Sequence, residues 1–133
     1  MVTKNTLDTH TLLWFLADDP RLGPNAGAVL EDPESELVLP AIVLAEACWI
    51  VQRGRIALSV LDLLAAIDAD PRIQVVALDR TIIERSVGLT AIGEMHDRQI
   101  VATVLVLQDK GETVRLLTAD RDITASGVIP IIW

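Results

Sequence analysis

Cysteine is almost absent: Cys48 stands alone among 133 residues, so no disulfide framework can form within the chain and a reducing, cytoplasmic setting is expected. Histidine is nearly as scarce. His10 and His96 together with Cys48 make a poor ligand set for zinc. Lysine occurs at Lys4 and Lys110 alone, and Lys110 precedes the late strand after which a phosphoacceptor signalling domain needs its lysine. Asp and Glu interrupt every apolar stretch well short of the roughly 20 residues that cross a bilayer, so no membrane span is expected. No basic leader followed by an apolar segment and a cleavage site opens the sequence. Basic charge is in deficit, with 11 Lys and Arg against 19 acids and a formal net charge of -8. That balance excludes broad, non-specific attraction to phosphates and makes any nucleic-acid contact local. An acidic surface instead suits a cation site or a basic protein partner.

At 51% hydrophobic content and a mean hydropathy of +0.44, the chain is too apolar for disorder. Its length suits one domain over residues 1–133. Short β-like runs alternate with longer helical patterns, which points to an α/β fold with a mainly parallel sheet. Strand one ends at Leu7 and is expected to be weak, because Thr3, Lys4 and Asn5 are polar. The first helix is read over 11–17, the second over 24–30, and strand two at Leu37, Val38 and Leu39, with Pro40 opening the third helix and Gly54 closing it. Ser59 with Asp62 resembles a capping box for a fourth helix. Strand three is placed over 73–77 and Asp79 caps the fifth helix. A sixth begins near His96 and runs to about Asp109, followed by strand four over 114–117, a short turn over 120–125 and an apolar closing strand over 128–133.

Carboxylates that stand where a soluble helix normally carries an apolar residue are the informative ones. Glu46 is flanked at helical spacing by Ile42, Val43, Trp49 and Ile50, and a carboxylate in such a stripe costs several kcal/mol, by order of magnitude, unless it is hydrogen-bonded, protonated or bound to a cation. Glu84, by contrast, has Arg80, Thr81 and Gly88 around it and reads as a solvated face. Asp97 heads a stripe of Ile100, Val101, Val104 and Leu105, although an Asp at a helix start also serves as a cap. Asp8 and Asp120 each follow the end of an apolar strand, where ligands bind in open α/β sheets. An all-oxygen set of four acids with no lysine nearby suits Mg²⁺ or Mn²⁺, and the natural chemistry of such a site is phosphodiester hydrolysis.

These residues carry a resemblance. Leu7-Asp8-Thr9-His10 followed by Leu12, Leu13 and Trp14, then Glu46, Gly54-Arg55-Ile56, Asp97-Arg98 with Ile100-Val101-Ala102, Leu117-Thr118-Ala119-Asp120 and the closing Ile132-Trp133 resemble PIN domains, and within them the VapC-like toxins. The ordered set spans nearly the whole chain. The resemblance implies a three-layer α/β/α sandwich with a mostly parallel five-stranded sheet. It also implies a metal-dependent endoribonuclease leaving 5′-phosphate ends, the toxin of a toxin–antitoxin pair. It carries over Asp8, Glu46, Asp97 and Asp120 as metal-site acids binding Mg²⁺ or Mn²⁺, with Thr118 as a supporting hydroxyl. Where many relatives read Asp-Pro-Phe-Asp-Arg, this chain has Glu94-Met95-His96-Asp97-Arg98, and the loop before Asp97 is expected to differ in shape.

Around these acids stand further candidates. Asp122 lies in the same turn as Asp120 and can replace or supplement it. Thr9 or Thr118 can hold a metal-bound water, or simply cap backbone. Arg98 and Arg121 follow the proposed acids and suit a phosphate at the rim, against the plainer role of surface ion pairs. Cys48 reads as a core residue. Core packing is also the default for Trp14, Trp49 and Trp133, but Trp14 sits among Leu13, Phe15 and Leu16, and a patch left uncovered there would favour a homodimer or an antitoxin helix in a groove. The partners expected are therefore RNA, a cognate antitoxin and a second copy. A catalytically silent interaction domain is the alternative class.

Overall fold

The computed structural model describes residues 2–133. Five strands, β1 (Thr3–Leu7), β2 (Glu36–Pro40), β3 (Ile73–Val76), β4 (Thr113–Leu117) and β5 (Ile131–Ile132), form one sheet in the order β3-β2-β1-β4-β5, every pairing parallel. The helices are α1 (Thr9–Leu16), α2 (Pro24–Glu31), α3 (Ala41–Gln52), α4 (Val60–Ala69), α5 (Arg80–Val87), α6 (Met95–Asp109) and α7 (Arg121–Ser126). The chain advances outward from β1 to β3 and then returns to β4 and β5. Right-handed crossovers place the two sets of connecting helices on opposite faces, which gives the three-layer α/β/α sandwich expected.

Parallel strands covered on both faces require near-continuous apolar runs, and β2 and β4 supply them: Leu37, Val38, Leu39, Leu116 and Leu117 are all buried. The polar β1, expected to be weak, is instead the central strand. Its polarity is absorbed by specific partners: buried Asn5 accepts from Arg115 Nε at 2.6 Å and donates to the Glu36 carbonyl, and Lys4 pairs with Glu112 at 2.7 Å. Local signals are met closely at the helix starts. Asp79 and Ser59 accept from Ile82 N and Asp62 N, while Gly54, past the end of α3, takes the left-handed conformation (φ 71°) that its lack of a side chain permits.

Three expectations are corrected. The first helix begins two residues earlier, at Thr9, because Asp8 caps it. The turn over 120–125 is the helix α7, closed by Gly127 in a left-handed conformation. The closing strand shrinks to Ile131–Ile132, because only that pair finds register partners, Leu116 and Leu117.

The last residue is nonetheless held. Asn25 N donates to the Trp133 carbonyl at 3.3 Å, and a Cβ on buried Gly23 would stand 2.7 Å from the Trp133 carbonyl carbon. Gly23→Ala is therefore expected to cost about 1–3 kcal/mol through overpacking against backbone, read as a fall in melting temperature of roughly 4–10 °C. An unchanged melting curve would show that the Trp133 segment yields without cost.

Candidate active site

Reversal of direction between β1 and β4 makes the gap at their carboxyl ends the switch point of the sheet, the place where open α/β folds bind ligands. Asp8 and Asp120 flank it. The two strands are in register, Leu7 opposite Leu117, so Asp8, directly after β1, and Asp120, three residues after β4, leave the sheet at the same edge. Both acids cap the helix that follows: Asp8 Oδ1 accepts from Thr11 N at 2.9 Å, and Asp120 Oδ1 accepts from Ile123 N at 2.9 Å. Each carboxylate is thereby fixed by one oxygen. Two hydroxyls lock the edge itself: Thr11 Oγ1 donates to the Leu117 carbonyl at 2.7 Å, and buried Thr118 Oγ1 accepts from Asp120 N at 3.0 Å.

Two helices bring the remaining acids. Glu46 on α3 accepts from Thr9 Oγ1 at 3.1 Å and lies 3.4 Å from His96 Nδ1, which also stands 3.2 Å from Glu94. Partial burial pushes the Glu46 carboxyl above its ordinary range, against the pull of Thr9 and His96. Asp97 sits in the first turn of α6 and is not the cap. Glu94 caps that helix, accepting from Asp97 N at 2.8 Å, which removes the plainest structural explanation for Asp97. Burial first, then the charges of Asp120, Glu94, Glu46 and Asp8, push Asp97 up to about 7.

Asp8, Thr9, Glu46, Asp97 and Asp120 thus border one pocket of about 420 Å³, which also takes in Glu94, His10, Trp14 and Trp133. No Lys or Arg lines it. Among the described residues no three His, Cys, Asp or Glu side chains close tightly enough to grip an ion alone. The reason is local: Asp8 and Asp120 are engaged by their caps, and Glu46 leans toward Thr9 and His96. Such an open, all-oxygen set suits a hard cation that keeps several waters and takes one or two carboxylates directly, as Mg²⁺ does.

Other candidates fall outside the pocket. Arg98, one residue and about 100° round the helix from Asp97, donates its Nε to the Ile92 carbonyl. Arg121 and Asp122 are exposed in the first turn of α7 and do not line the cavity. Core packing does not hold for Trp49, which is 55% exposed with Arg53 stacked 4.5 Å above its ring. Cys48 is only partly buried, packed against the core. Sequence reasoning passed over Glu94 as a site residue. The signal for it was its position after Gly93 and three before Asp97, the spacing of a cap.

The sequence profile of the PIN domain matches residues 6–127. No curated protein matches the sequence. Among solved structures, VapBC2 from Rickettsia felis superposes with a TM-score of 0.70 at 14% identity, covering 97% of each chain. A toxin–antitoxin complex from Klebsiella pneumoniae gives 0.69 at 18% identity over 97% of this chain and 96% of the other. VapC20 from Mycobacterium tuberculosis gives 0.67 at 16% identity over 92% and 95%. At these identities the likeness is one of fold.

Proposed function

The chain belongs to the PIN domain family, and from that premise we propose that it is a Mg²⁺- or Mn²⁺-dependent endoribonuclease, the toxin of a toxin–antitoxin pair, cutting RNA to leave 5′-phosphate ends. The observation that carries this reading is the meeting of Asp8, Glu46, Asp97 and Asp120 at the switch point with no Lys or Arg among them, where burial first and then the neighbouring acids push Asp97 up to about 7. Carboxylates held this way are poised for a cation. When bound, it supplies Lewis acidity toward a phosphoryl oxygen and the attacking water. The protein's own part is positional: Thr9 holds Glu46, Thr118 fixes the turn that presents Asp120, and Glu94 caps the helix that presents Asp97. Arg121 remains the candidate for a phosphate at the rim, since the Arg98 side chain is taken up by the Ile92 carbonyl.

The VapC20 relative is described as a sarcin–ricin loop cleaving toxin, and the Rickettsia felis and Salmonella typhimurium relatives are VapBC assemblies bound to DNA. Exposed Trp49 beside Ile42, Ala45 and Ile50 borders an apolar hollow of about 490 Å³, and with the -8 charge this suits a basic antitoxin helix, or a second copy across a homodimer. Among the described residues no helix is long and apolar enough to cross a membrane. Co-purification from the native operon is expected to recover the antitoxin; a monodisperse lone chain there would count against the toxin assignment.

Cleavage of a generic RNA with Mn²⁺, against EDTA and against Asp8→Asn, tests the nuclease reading. The alternative class is a silent interaction domain. Wild-type protein that leaves RNA intact with either metal would establish it.

A further inference from the structure

Besides the acids, the pocket is lined by three rings, His10, Trp14 and Trp133, which meet at tilts of 48° and 60°. His10 and Trp14 lie one helical turn apart on α1 with ring centroids 5.4 Å apart, and Trp14 meets Trp133 at 5.9 Å. Core packing accounts for only part of this wall: Trp133 packs against the core, whereas Trp14 is half-buried and His10 is exposed. Its parts are nevertheless held in place. Trp133 is pinned by Gly23 and Asn25, and Arg21 lies 4.9 Å over the Trp14 ring while clasping Asp19 through two nitrogens at 3.0 and 2.8 Å.

We propose that this wall is a stacking platform for one unpaired nucleobase beside the scissile phosphate, with His10 as the contacting ring and Trp14 and Trp133 as its backing. The inference rests on the nuclease reading above and deepens it by naming the side chains that contact a base of the substrate. In a nucleotide the base lies one sugar away from the phosphate, and here rings and acids face one cavity of about 420 Å³, within the ~300–1,000 Å³ range of pockets for small organic ligands. A phosphate held near the acids leaves the adjoining base in the pocket that the rings line. Bases in an A-form duplex are already stacked on their neighbours, whereas splayed bases stack on aromatic side chains with little sequence preference. With an acidic pocket unable to attract phosphates by itself, such a platform gives the substrate a contact that does not depend on charge.

The test uses Trp49→Phe protein, so that fluorescence reports Trp14 and Trp133, titrated in Mg²⁺ with a slowly cleaved phosphorothioate hexaribonucleotide, single-stranded or as a duplex. The single strand is expected to quench and the duplex not. His10→Ala is expected to weaken binding and raise KM for RNA cleavage by roughly tenfold with kcat little changed, and His10→Phe to restore both. Equal quenching by the duplex, a His10→Ala protein indistinguishable from wild type, or failure of His10→Phe to rescue overturns the platform while leaving cleavage intact. If an arginine-rich peptide quenches and RNA does not, the wall is a protein-binding surface and the inference is overturned. If RNA quenches in a His10-dependent way but wild-type protein cleaves nothing with Mn²⁺, the platform stands and the nuclease reading falls.

Discussion

Asp97→Asn is expected to lower Mn²⁺-dependent RNA cleavage by roughly two to three orders of magnitude, the scale of removing one preorganised electrostatic group from an active site. The amide keeps the shape of the side chain and removes the charge. Because Glu94 supplies the cap of α6, the helix start survives the substitution, and the buried run from Ile100 to Val106 that anchors α6 is untouched. The variant therefore separates charge from fold. Asp122→Asn is the matched control: it removes an acid only two residues from Asp120, but one that is exposed and outside the pocket, so cleavage should stay near wild type. Single-turnover cleavage of a fluorogenic RNA, with circular dichroism to verify folding, measures both. Near wild-type rates for Asp97→Asn would remove that residue from the proposed site, and a large loss in Asp122→Asn would exchange the roles of Asp120 and Asp122.

The candidate site was legible in the sequence wherever a residue broke the rule of its own element. Glu46 interrupts an apolar helical stripe, and Asp8 and Asp120 end apolar strands; each anomaly is local, so one sequence displays it. Features that depend on distant segments were not legible. The polar residues of β1 suggested weakness because Arg115 and Glu112, which satisfy Asn5 and Lys4, lie more than a hundred residues along the chain. Trp14 and Trp133 likewise meet only through the sheet and the tight passage at Gly23. Arg98 shows the limit of adjacency: the next residue of a helix turns by about 100°, and its guanidinium is taken up by the Ile92 carbonyl. The length of β5 depended on register partners, which hydropathy does not encode.

Burial of Asp97, together with the crowding of acids around it, predicts that Asp97→Asn melts above wild type in EDTA near pH 7.5, with the order reversed in its response to metal. Asp97 titrates from an ordinary value of 3.8 in the unfolded chain but near 7 in the folded one. Between those values the folded state binds the additional proton, so stability falls as pH rises from about 4 to about 7, and the full penalty is present above that window. Asp97 is only partly buried, so solvent screening reduces the penalty to about 1–2 kcal/mol, or roughly 4–8 °C in melting temperature. The amide carries no such penalty at any pH. The advantage of the variant should therefore be largest at pH 7.5 and vanish near pH 4, where wild-type Asp97 is protonated. Metal acts in the opposite sense: a cation bound only to the folded state at a hundred times its Kd adds about 2.7 kcal/mol, raising wild-type melting by roughly 10 °C. Losing one carboxylate weakens that response. Melting curves at pH 4 and 7.5, in EDTA and across a Mn²⁺ series, decide between repulsion and architecture. If Asp97→Asn melts below wild type in EDTA at pH 7.5, the carboxylate is a structural partner within the pocket, and neither the repulsion nor the cation invoked to relieve it survives.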